Sequence, residues 1–278
     1  MKPTAVGLHV KTRDRVKVLD AARAAMGAVG LKWVGGGLDA PDDAVRLVLL
    51  PSRGGWTSLY PEEPELVRGL AERLAVEVEA PVLVVGHYEE SAFFYLAFGP
   101  AGDELDAYHS CPDYSKRMGE DDASEAELEA TRGDAEVLAG LMGGEAAALE
   151  RILAGARIER LREHDVLSSA VDVGAALERF AAQLGLPDLL QAFEDVWGED
   201  DEDDDETVRH LAYARPRDPG QLARLFGRLR DRWRAGAGAH GAARSEEAEA
   251  REDEELDEAD ADAGEEPPAA ARGRRPRR

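Results

Sequence analysis

Two stretches of helical apolar spacing, each bracketed by short β-prone runs, constrain this chain more than any other feature. Thr4 to Val10 alternates, and Thr12 and Asp14 then stand where a helix N-cap and a first-turn acid belong. A helix from that point sets Val16, Leu19, Ala22, Met26 and Val29 on one stripe, weakening at Gly27 and Gly30. Pro64 suits the first turn of a second helix, with Val67, Leu70, Ala71, Leu74 and Val78 inward and Pro81 beyond its end. Between and after these lie strand-like runs: Leu31 to Val34, Val45 to Leu50 with Trp56 to Tyr60, Val82 to Val85, Ala92 to Phe98 and Leu105 to Tyr108.

The sequence therefore reads strand, helix, strand, strand, helix, strand, with further strands appended. This predicts an α+β fold in which an antiparallel sheet carries helices on one face. The βαββαβ order is similar to that of ferredoxin-like domains, a likeness of topology that carries almost no functional information.

Beyond about Asp121 the composition shifts to Ala, Glu, Leu and Arg, and a mainly helical subdomain is expected over 119–235 after a sheet domain over 1–118. Its clearest helix runs from Asp172 to Leu184, with Val173, Leu177, Phe180 and Leu184 inward and Gly185 and Pro187 as the stop. Leu189 to Trp197 reads as a shorter helix, and Asp218-Pro219 opens another that carries Leu222, Leu225, Phe226, Leu229 and Trp233. Residues 236–278 hold too little apolar surface to offset chain entropy, so a disordered charged tail is expected there.

The net charge of −24 is concentrated rather than spread. Glu246 to Glu266 contains thirteen acids and one base, and Glu199 to Glu206 eight acids, while Arg272 to Arg278 returns five positive charges. About −9 is left for the rest, which argues against nucleic-acid binding by the main domain. One positive segment stands out: Arg215 to Arg234 has seven arginines against Asp218 and Asp231, a pattern suited to an acidic partner, an anionic membrane or nucleic acid that the acidic tract would screen, against the alternative of arginines that solvate one side of an ordinary core helix. With no membrane-length apolar run, no secretory signature and one cysteine, Cys111, the expectation is a cytoplasmic chain without disulfides.

Chemistry-bearing residues gather most tightly at Tyr108-His109-Ser110-Cys111-Pro112-Asp113-Tyr114. If His109 and Cys111 project from the same side of an extended chain, the imidazole lowers the thiol pKa and creates a catalytic nucleophile; the competing reading is a packed cysteine before a proline turn. Adding His87 would give a mixed nitrogen and sulfur metal set, but the spacing lacks the tight repeats of such sites, so no metal and no cofactor are assigned. Arg53, Trp56 and Tyr60 suggest a ligand pocket for an anion or an aromatic group, against the alternative of a tryptophan that anchors a loop. The glycines at 35–37 and 54–55 lack the phosphate-cradling spacings.

On balance the sequence favours a non-catalytic interaction or regulatory module with a protein partner and a charge-tuned tail. The alternatives are an enzyme or metal protein built on His109, Cys111 and His87, and an acidic immunity-type protein that neutralises a basic partner.

Overall fold

The structure, a computed structural model, describes residues 3–36, 41, 43–88, 91–113, 123–158, 172–187, 189, 193, 196 and 209–214. Eight strands form one sheet: β1 (Ala5–Val10), β2 (Lys32–Gly35), β3 (Val45–Leu49), β4 (Thr57–Pro61), β5 (Val82–Tyr88), β6 (Ala92–Phe98), β7 (Glu104–His109) and β8 (Arg209–Ala214). Their order is β2-β8-β3-β4-β1-β5-β6-β7, and every neighbouring pair is antiparallel. The described helices are α1 (Arg15–Ala28), α2 (Val67–Val78) behind a short 3-10 turn, α3 (Glu125–Ala130), α4 (Ala135–Met142), α5 (Ala146–Ala156) and α6 (Val173–Leu184). None is long and apolar enough to cross a membrane.

The fold is α+β, but helices cover both faces of the sheet rather than one. Strand parity explains this. Val82 and Val84 of β5 join α1 and α2 in one apolar cluster, whereas Leu83 and Val85 join Phe93, Tyr95, Tyr108 and helices α4, α5 and α6 in another. An uninterrupted run such as Val82-Leu83-Val84-Val85 has no polar side to present to water, so both of its faces need cover. The helices that follow residue 119 thus share a core with the sheet, and β8 lies within the sheet between β2 and β3.

Local signals set most boundaries. Asp14 caps α1 by accepting from the Lys17 amide, Ser124 and Glu127 form a capping box on α3, and Asp172 caps α6, which ends on Gly185 in the left-handed conformation. The inward stripe of α1 differs from the expected one. Val18, Ala21, Ala22, Ala25 and Met26 are buried, and Val16 is 67% exposed, because small alanines let the helix seat closely on the sheet. The expected helix over 218–233, most of the one over 189–197, both acidic runs and the tail from 236 lie outside the described residues.

Candidate functional site

The turn after β7 is where the sequence gathers its chemistry. His109 ends the strand, and its Nδ1 accepts from the backbone N–H of Cys111 at 3.1 Å. With Nδ1 acting as an acceptor, the neutral ring carries its proton on Nε2, a shielded atom with no hydrogen-bond partner among the described residues. The ring stacks on Tyr88 and Phe94, with centroids 5.7 and 6.0 Å away. Burial, helped by the Arg157 guanidinium, pulls its pKa down to about 4.

Cys111 is fully buried in a small cluster with Tyr88 and Ala92, against Phe94 and Ile158. Ser110 is equally enclosed: its Oγ accepts from the Phe93 amide at 3.0 Å, and its carbonyl from the Ile158 amide at 2.6 Å. Asp113 Oδ1 accepts from the Ala123 amide at 2.9 Å. Arg157 fixes the same corner from outside, its guanidinium donating to the carbonyls of His109, Thr131 and Leu128. His109 and Cys111 are therefore brought together, but through ring nitrogen and backbone amide.

His87 does not join them. It pairs in register with Phe93, which belongs to the α4–α6 side, while His109 pairs with Phe94 and stacks on it from the opposite side. One residue of parity places the two imidazoles on opposite faces of the sheet. Among the described residues no group of three or more His, Cys, Asp or Glu is arranged to hold a metal ion.

Arg53, Trp56 and Tyr60 are also dispersed. Arg53 and Trp56 face each other across Gly54-Gly55, with paired backbone hydrogen bonds of 2.9 and 2.8 Å; both glycines have positive φ, as a tight two-residue hairpin requires. The Arg53 side of this turn is exposed. Trp56 is buried in the α4–α6 cluster and donates from Nε1 to the Leu184 carbonyl at 3.1 Å, so it anchors the hairpin to the end of α6. Tyr60 is fully buried in a separate cluster with Val48, Leu50 and Val196.

A second polar group, which sequence reasoning did not single out, lies at the centre of the sheet. His9 on β1 is fully buried, and its Nδ1 is 2.9 Å from the Ser58 hydroxyl on β4, the residue opposite it in register. Its ring meets Tyr60 edge-on at 6.2 Å, and burial pulls its pKa down to about 3. Both rings lie over Gly7, where an added Cβ would stand 3.0 Å from His9 Nε2 and from the Tyr60 ring. The signal was a single histidine inside the apolar run Ala5–Val10, a polar residue at a position buried on a central strand. A Ser–His contact of this kind lacks the carboxylate that would orient the ring, since Nε2 has no hydrogen-bond partner among the described residues.

No protein-family model matches the chain, and neither the curated proteins nor the solved structures include a significant match to it.

Proposed function

We propose that this chain is a non-catalytic interaction or regulatory module whose charged C-terminal stretch tunes association. One observation carries the reading: Trp33 and Val34, 55% and 48% exposed, lie side by side on β2, the outermost strand, while the thiol and imidazole that would serve catalysis are enclosed by packing. A large aromatic side chain left in water on a sheet edge is a binding feature, because edge strands otherwise tend to be blunted or covered. A reactive cysteine needs an accessible, electropositive setting, and Cys111 is fully buried. Within the sheet, we read β3-β4-β1-β5 with α1 and α2 as a ferredoxin-like unit to which the remaining strands are appended, a fold that leaves function to the surface.

A thiol-reactivity titration with elemental analysis of the purified protein tests this reading. The expected result is slow labelling of Cys111, limited by opening of the fold, and no stoichiometric metal. Fast labelling at neutral pH, or one equivalent of zinc, would favour the enzyme or metal protein built on His109, Cys111 and His87.

A further inference from the structure

The two edges of the sheet are treated differently. Along β7, the His109 amide donates to the Thr131 carbonyl, Tyr108 forms an isolated bridge with Arg132, and the Ile158 amide reaches the Ser110 carbonyl just past the strand. The outer edge of β2 has no such cover among the described residues, although Lys32, Trp33 and Val34 are all exposed.

This open edge is positively charged in an acidic chain. Lys11, Arg15 and Lys17 reach the carbonyls of Leu141, Leu49 and Val78 elsewhere in the fold, so the edge's charge comes from Arg23 and Lys32, in a chain that carries −24 as a whole. Arg23 on α1 lies over the Trp33 ring, 5.0 Å from its centroid, with Asp20 only 3.9 Å from the guanidinium as a weak exposed partner. Lys32 is on the strand itself and pairs in register with Ala214, the end of β8. The polypeptide therefore leaves the sheet beside the same edge, and the arginine-rich stretch begins at the next residue, Arg215.

We propose that the β2 edge, through Arg23, Lys32 and Trp33, is the docking strip for the chain's own acidic tract Glu246–Glu266. This rests on the interaction-module reading and names the surface and its resident occupant. The tract carries thirteen acids and one base, with Leu256 as its one large apolar residue available to cover Trp33. The residues between Ala214 and Glu246, at roughly 3.3–3.6 Å each when extended, give more than enough reach to return to β2. Tethering also raises the local concentration of the tract above that of any free acidic segment. An external acidic partner would have to displace it.

Hydrogen exchange of the full-length chain, read by mass spectrometry at about 50 mM and about 500 mM NaCl, tests the proposal across a large change in screening. The amides of residues 32–36 should exchange at least about fivefold more slowly at low salt, with those of β5 unchanged. In full-length protein, neutralising the tract (Glu252→Gln, Asp253→Asn, Glu254→Gln, Glu255→Gln) should abolish this difference. The pair Arg23→Glu and Lys32→Glu should do the same. Exchange at β2 that ignores both salt and the neutralised tract overturns the proposal. Protection that rises with protein concentration instead would assign the edge to a second copy, which also overturns it. If tract neutralisation has no effect but added polyglutamate slows exchange at β2, the tract assignment fails while the interaction-module reading stands.

Discussion

The phenolic hydroxyl of Tyr95 donates to Asp106 Oδ2 at 2.6 Å, and the Asp134 amide donates to both oxygens of the same carboxylate at 3.0 Å. Asp106 is 2% exposed, so these contacts are what replace its water. The arrangement joins β6 and β7 to the first turn of α4, because Asp134 is also the cap of that helix. Gly133 makes the approach possible: its φ is +79°, and an added Cβ would lie 2.8 Å from the Tyr95 hydroxyl.

Tyr95→Phe is expected to destabilise the fold by about 1–3 kcal/mol, since it leaves a buried carboxylate short of a donor without changing the packed volume. Urea unfolding with an unchanged slope would register this. Burial and the nearby Asp106 also hold the Tyr95 hydroxyl protonated well above its ordinary range, and burial likewise raises Tyr108, and raises Tyr213 to about 12. An ultraviolet titration should therefore find at least three of the six tyrosines still protonated at pH 11, and released on unfolding.

Arg68 on α2 meets Glu104 on β7 at 2.8 Å, with side-chain exposures of 14% and 9%. Burial raises the Glu104 pKa to about 6 even though Arg68 opposes the shift. A carboxyl whose folded pKa lies above its unfolded value of 4.5 contributes least above pH 6, and its contribution grows as pH falls toward 4.5. Arg68→Met should cost about 3 kcal/mol at pH 7 by stranding the carboxylate. That deficit should shrink near pH 5, where Glu104 takes up a proton; a deficit equal at both pH values would contradict the pairing.

Histidines 9 and 109 work in the opposite direction. Both are held neutral, with folded pKa values of about 3 and about 4 against 6.5 when unfolded. Their contribution is complete above pH 6.5 and is lost as pH falls through the folded values, because the unfolded chain binds the extra protons. Denaturant midpoints should therefore decline between pH 6.5 and 4, the two histidines outweighing the single Glu104. NMR of the imidazole Cε1–H signals should show neither ring titrating near pH 6.5.

Arg157 should control access to Cys111. Its guanidinium reaches three carbonyls at the β7 corner, and the next residue, Ile158, lies against the cysteine cluster. Arg157→Lys keeps the charge but loses the forked geometry, and is expected to cost about 1–3 kcal/mol. Labelling of Cys111 should accelerate roughly tenfold or more if local opening bears most of that cost. An unchanged labelling rate would show that the corner is held by apolar packing alone.

Much of the secondary structure was written in local pattern. The stripe Val67, Leu70, Ala71, Leu74, Val78 is buried as its spacing requires, Ala92–Phe98 is a strand over its whole run, and Asp172 with Gly185 bounds α6. Strand β8 has an ordinary length but a weak local signal: Arg209–Ala214 follows an acidic block and holds only Leu211 and Tyr213 as large apolar residues, and its pairing partners Val45–Leu49 are far away in sequence.

The sequence by itself determined which segments bury apolar surface and where helices start and stop, since capping and periodicity act over a few residues. Tertiary structure alone decided strand order, the covering of both sheet faces, and the separation of His87 from His109. Pairing register is a long-range choice, and one residue of it reverses the face on which a side chain lies.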